Sequence, residues 1–480
     1  MKESDLLENK RYNGLDALRA MAMFLGILLH GSLTYFSQLF SMELFWPADN
    51  DQSLNLALLF DFIHTWRMPT FFLLAGFFAH LVIERKHFFY FFRDRLKRIL
   101  LPLLIFGPIM ALVLPAIWLY GWKGYFSFGL VQEVVQNTND LGSSGELIGH
   151  LWFLYYLLIM YFNLGIICFF GKSKYSLILL LFTWIGFLLL LAYVYGFGPF
   201  TGISTLSAMG LVILGFLIAS FITITITLTN LLKFLFLSRI GVIFTKTIYS
   251  RIPILFVMAA CLLLIFRGDN ESKPIWPINV PDFLYSFLFF LYGYGLWSNR
   301  DLINRLKGSS HLVLSCLSAF FFYVSHLVCV SVIDSLNSRN DLNTIPIFEF
   351  LDLFCYGSSA VLITLSLIGV FEASMNSLKK WVRWLSDSSY WIYIIHLPLV
   401  SLTTFYLGHM DRNQWLKKLT GIEWNAESKF LISCIFTMVV CLVTYRYLVR
   451  YTPIGLLLNG RKSRSPNTVT GFLLKQLYFV

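Results

Sequence analysis

A chain of 480 residues, 57% hydrophobic and only 13% charged, is too poor in charge for a soluble domain, which carries about 25% charged residues. Its mean hydropathy of +0.70, with 48 Phe, 24 Tyr and 13 Trp, suits side chains that face hydrocarbon, so the expected fold is an all-α polytopic membrane helix bundle of about 10–12 spans. The net charge of +11 lies in short loops between apolar runs, which points to cytoplasmic loop bias and argues against nucleic acid as a partner.

Apolar windows long enough for a bilayer core of roughly 30 Å fall at residues 15 to 36, 62 to 83, 99 to 120, 148 to 170, 175 to 195, 204 to 229, 251 to 267, 282 to 298, 311 to 333, 349 to 371, 389 to 408 and 429 to 449. The first carries Asp16 and Arg19 and is followed by no small-x-small cleavage site, so it reads as a retained signal anchor. Placing the N terminus inside puts most Lys and Arg on the cytoplasmic side and most acidic residues outside. Both termini are then cytoplasmic: a segment over 1–10, a transmembrane domain over 11–450 and a basic tail over 451–480. The seven cysteines show no Cys-x-x-Cys and no ligand spacing beside histidine. Neither disulfides nor a metal are expected.

Ionisable residues inside these windows are costly and therefore candidates for function. Arg19 and His30 are eleven residues apart, three turns plus about 20° and a rise of roughly 16.5 Å, so they share one face at two depths. The second window enters from outside with Asp61, His64 and Arg67 at i, i+3 and i+6. Asp61 and His64 are expected to be within reach, with Arg67 one turn deeper. Arg95 and Arg98 open the third window at the level of Arg19, and His150 with Trp152 opens the fourth from outside. In the eleventh, Tyr390, Tyr393 and His396 recur at i, i+3 and i+6, carrying His396 toward mid-membrane.

Each residue alone has an ordinary explanation. Arg19 suits a snorkelling anchor, Arg95 and Arg98 positive-inside charge, His150 an interfacial belt, and Asp61 with His64 a self-satisfied pair. Together they suggest chemistry on two sides. Guanidiniums bind phosphates bidentately, and a histidine suits a general base.

The motifs Arg19-x10-His30, Arg95-x-x-Arg98 before a Leu-Leu-Pro run, His150-Leu-Trp-Phe-Leu154 and Ser389-Tyr-Trp-Ile-Tyr-Ile-Ile-His396 resemble those of the acyltransferase-3 membrane family. The run Phe60-Asp-Phe-Ile-His-Thr-Trp-Arg-Met68, and Glu146 ahead of the His-Leu-Trp-Phe-Leu run, are similar to its glucan-biosynthesis branch. The resemblance covers residues 11 to about 170 and 386 to 400, and the chain is longer than such proteins between 204 and 300. It implies transfer of an acyl group from cytoplasmic acyl-CoA, either succinyl-CoA or acetyl-CoA, to a carbohydrate hydroxyl outside the inner membrane. In the glucan branch the acyl group is succinyl and the acceptor a periplasmic glucan.

On that basis Arg19, Arg95 and Arg98 are expected to hold the CoA phosphates and His30 to act as the base, oriented by Asp61 and His64. Arg67 is expected to meet the carboxylate of a succinyl donor. Glu146, His150, Trp152, Tyr393 and His396 are expected to line the substrate pocket. The competing expectation is a transporter or flippase, since buried His, Asp and Arg also relay protons; a sensor or scaffold without chemistry is the third.

Overall fold

In the computed structural model, the described residues are 12–39, 46–126, 149–170, isolated positions between 183 and 223, 246–250, 252–267, 279–339, 341, 343–375 and 380–459. Among them there are helices and no strand. They divide into two units, residues 159–253 and the remainder.

The larger unit contains α1 (Asn13–Ser32), α2 (Leu54–Lys86), α3 (Phe88–Lys123) and the start of α4 (Trp152–Phe170). It continues with α5 (Ile254–Arg267), α6 (Val280–Ser298), α7 (Asp301–Leu306), α8 (Ser309–Ser338), α9 (Ile345–Ser374) and α10 (Lys380–Arg412). It ends with α11 (Trp415–Thr420), α12 (Ala426–Thr444) and α13 (Pro453–Asn459). Every predicted window except 175 to 195 and 204 to 229 coincides with one of these helices; those two fall mostly outside the described residues. Seven stretches, including α1, α2, α3, α8, α9 and α10, are long and apolar enough to cross a membrane. In the smaller unit Trp184 Nε1 donates to Thr223 Oγ1 at 3.0 Å.

Local chemistry sets the helix ends. α1 begins against the end of α9, where Leu15 N donates to Glu372 Oε1 at 3.0 Å. Gly14 permits the approach, because a Cβ there would lie 2.6 Å from Glu372 Cα. Ser53 caps α2, its hydroxyl accepting from Leu56 N at 3.4 Å. The two helices α2 and α3 meet at His87, whose φ of 62° breaks the helical path. Within α3, Leu96–Leu100 form a π turn just before Pro102. Pro102 has no N–H for the carbonyl of Arg98. The Tyr390 hydroxyl donates to that oxygen instead, at 2.5 Å.

The helix pair α2 and α6 crosses backbone to backbone. A Cβ on Gly76 would overlap Phe290 O, and one on Gly293 would overlap Leu73 O, so only hydrogen fits at either position. Ile27, Tyr35, Leu56, Ile392, Val400, Phe430 and Cys434 form an apolar core between α1, α2, α10 and α12. On α3, α8 and α12, by contrast, large apolar side chains such as Leu104, Leu112, Phe320, Phe321, Ile435 and Val439 are exposed. Such faces suit lipid.

Alternating helix directions bring distant stretches together at two ends. At one end Lys307 Nζ lies 3.6 Å from Glu372 Oε2, and Trp297 Nε1 donates to Glu84. At the other, Arg267 pairs with Asp282 at 2.8 Å. There Lys429, fully buried, contacts Asp49 at 2.7 Å, Asp51 at 2.9 Å and Asp411 at 2.7 Å. One ammonium thereby ties the 46–53 loop to the last turn of α10 and the first of α12.

Candidate active site

Pro398 lies inside α10 and supplies no N–H for the carbonyl of Ile394, four residues earlier. That oxygen accepts from His150 Nε2 at 3.1 Å, and the neighbouring Tyr393 O accepts from the same nitrogen at 2.7 Å. The Tyr393 hydroxyl in turn donates to His150 O at 2.5 Å. Two carbonyls facing Nε2 require it to carry the proton, which leaves Nδ1 a bare acceptor. That nitrogen is buried without a hydrogen-bond partner.

His396 repeats the arrangement with its ring reversed. Its Nδ1 donates to Tyr393 O at 2.8 Å and Ile392 O at 3.0 Å, and its Nε2 is buried and unpartnered. The His396 ring lies 5.1 Å from that of His150 and 5.3 Å from that of His30. Neither ring nitrogen of His30 is held by a carbonyl among the described residues, and its Nδ1 too is buried and unpartnered. Its other face stacks on Trp46 at 6.2 Å, and Trp46 donates to Thr34 Oγ1 at 3.0 Å. Three imidazoles with bare nitrogens therefore converge between α1, α10 and the start of α4.

Arg67, 5% exposed, reaches this pocket from α2. Its Nε donates to Ala22 O at 2.9 Å. Gly26 makes room: a Cβ there would overlap Arg67 Nη2 and lie 3.2 Å from His396 Nε2.

The guanidiniums gather at the opposite level. Arg19 Nη2 lies 3.1 Å from Asp16 Oδ1 and 3.5 Å from Ser386 Oγ, over the ring of Phe78 at 5.4 Å. Asp94 is shared by Arg95 at 3.3 Å and Arg98 at 3.0 Å. Ser386 beside Arg19 and Tyr390 on Arg98 O are one turn apart on α10, which sets these cations at neighbouring levels. Ten residues of α10 separate Ser386 from His396, a rise of about 15 Å that matches the Arg19 to His30 separation on α1.

Other predicted residues lie elsewhere. The i, i+3 contact expected between Asp61 and His64 does not form. Asp61 Oδ2 accepts from Tyr323 at 3.0 Å and lies 3.4 Å from His326 Nε2, because α8 offers it two donors and His64 only one. His326 Nδ1 meets Asp352 Oδ1 at 2.6 Å. His64 stacks on Phe60 at 5.3 Å and meets Tyr356 at 3.4 Å. Both residues thus make hydrogen bonds to α8 and α9. Trp152 packs on Phe72 and Tyr156, and Glu146 lies outside the described residues.

Several neighbours escaped the sequence reading. His326 and Asp352, ionisable groups within apolar windows, carried a usable signal. Trp46, in a loop, and Gly26, a small residue in a helix, carried none.

Residues 12–245, and again 234–446, match the profile of a family described as an acyltransferase domain. The chain belongs to the acyltransferase-3 family. Glucans biosynthesis protein C of Escherichia coli strain SMS-3-5 is 37% identical over 147 residues, 30% of this chain and 36% of the relative. The proteins of the same name from Shigella dysenteriae serotype 1 and Escherichia coli K12 are 35% identical over 146 and 147 residues, with the same coverage. The chain thus spans 36% of the length of the curated relatives it matches. No solved structure matches it. Within this family of membrane acyltransferases, the helical architecture and the candidate pocket belong to an integral-membrane protein.

Proposed function

We propose that this acyltransferase-3 member takes an acyl group, succinyl or acetyl, from acyl-CoA at the cytoplasmic face of the inner membrane and passes it to a carbohydrate hydroxyl on the outer side. Both termini are then cytoplasmic. The two-level stripe of α1 carries the assignment: Arg19 lies among guanidiniums, and His30 lies among imidazoles with bare nitrogens. A thioester extended along that stripe can meet both. The name of the relatives makes a glucan the first acceptor to test.

In this scheme Arg19, with Asp16 beside it, and Arg95 and Arg98, which share Asp94, hold the CoA phosphates through forked contacts. His30 takes the proton of the acceptor hydroxyl. It suits this role because its ring is not committed to a carbonyl, whereas His150 and His396 are each fixed in one tautomer. Those two rings, with Tyr393, line the pocket. Asp61 and His64, committed to α8 and α9, act on the acceptor side.

A positioned base contributes roughly 10² to 10⁴-fold, so His30→Ala is expected to lose acyl transfer by that factor while still inserting in the membrane. Envelope carbohydrate with unchanged acyl content in that variant, read by mass spectrometry, would remove His30 from the mechanism. The Asp61–His326–Asp352 chain, with His326 buried at its centre, favours a proton-coupled transporter as the second reading. Consumption of acyl-CoA by membranes containing the protein separates the two, since a transporter leaves it intact.

A further inference from the structure

Arg67 is a charge at membrane depth with no carboxylate beside it among the described residues. It is 5% exposed, its Nε is spent on Ala22 O at 2.9 Å, and its guanidinium carbon lies 5.8 Å from the centroid of the Phe71 ring. A buried guanidinium without a counter-ion is costly in a low-dielectric interior. Anchoring through Nε fixes the plane of the group and leaves Nη2 at the space over Gly26. His396 Nε2, bare and buried, borders that same space.

We infer that Arg67 is a catalytic residue whose terminal nitrogens hold the donor's thioester carbonyl oxygen as it becomes an oxyanion; this rests on the acyl-transfer reading above. The acceptor hydroxyl oxygen bonds to the thioester carbon while its proton passes to His30. The carbonyl π pair moves onto oxygen, where Arg67 meets it. When that pair returns, the C–S bond breaks, sulfur leaves with its electrons, and the imidazolium gives the proton to the thiolate. Thioester and alcohol become ester and thiol, with no other reactant.

The surroundings favour this occupant over a permanent anion such as the succinyl carboxylate. A resident carboxylate would face the bare lone pair of His396 Nε2, within a cluster of three imidazoles, and that lone pair repels it. The oxyanion appears only as a proton reaches one of those imidazoles, so its charge is balanced as it forms.

The test uses the full chain in nanodiscs, with acetyl-CoA or succinyl-CoA as donor and a glucan oligosaccharide as acceptor, reading thiol release and ester formation. Removing one oxyanion donor costs about 10² to 10³-fold in kcat. Arg67→Gln is expected to show that loss with both donors at nearly unchanged KM, and Arg67→Lys, which keeps the charge and guards against failure to fold, a smaller loss of the same kind. A loss confined to succinyl-CoA, or seen only in KM, would overturn the inference in favour of carboxylate recognition. Full kcat in Arg67→Gln would overturn it outright while leaving acyl transfer standing. A wild-type protein inert with both donors would overturn the function proposed above, and this inference with it.

Discussion

Pro398 removes a helix hydrogen bond, and the carbonyl it releases is one that fixes His150. The same economy recurs at Pro102, where the freed Arg98 carbonyl anchors Tyr390. Prolines in these helices thereby set the tautomer of one imidazole and the level of one guanidinium. Arg19, His30, Arg67, His150 and His396 were legible as candidates because an ionisable group in an apolar run stands out against its neighbours. Spacing erred at Asp61 and His64, because neighbours on one helix compete with donors from other helices, and sequence does not show those donors. His396, expected in the pocket lining, lies between His30 and His150. For Arg19→Lys, which keeps charge but loses the planar fork, acyl-CoA affinity is expected to fall on the order of tenfold with acceptor use unaltered. Calorimetry of donor binding checks it, and an unchanged dissociation constant would remove Arg19 from the donor site.

Helix positions were legible from hydropathy, and helix lengths less so. With 33 residues each, α2 and α10 are about 50 Å long, well beyond a hydrocarbon core of roughly 30 Å. The apolar windows mark only the stretch in lipid; the polar extensions have no such signature. The crossing of α2 and α6 was likewise invisible, since Gly76 and Gly293 give no clue to which glycine faces which helix. Their contact makes a sharp prediction. Gly293→Leu forces side-chain atoms into the Leu73 backbone, and overpacking of this kind costs about 1–3 kcal/mol or more. The variant is expected to unfold at a lower temperature in detergent than Gly107→Leu, because the Cβ position at Gly107 meets nothing within 4 Å. Equal midpoints would mean that the two helices can separate without cost.

Across the bundle, Lys307 pairs with Glu372 at one end and Lys429 with its three aspartates at the other. With the N terminus inside, Lys307 faces the cytoplasm and Lys417 the outside. In a cysteine-free background, Lys417→Cys is expected to react with a membrane-impermeant thiol reagent in intact cells, and Lys307→Cys only after lysis. The reverse pattern would invert the orientation. Lys417, paired with Glu423 at 2.5 Å, has a side chain 57% exposed, whereas that of Lys429 is 0% exposed. Dissolved ions weaken the first pair readily and reach the second poorly. The stretch of chain that carries Trp46 over His30 is therefore held by an ammonium that ionic strength reaches poorly, so raising the salt is expected to loosen it less than the Lys417 pair.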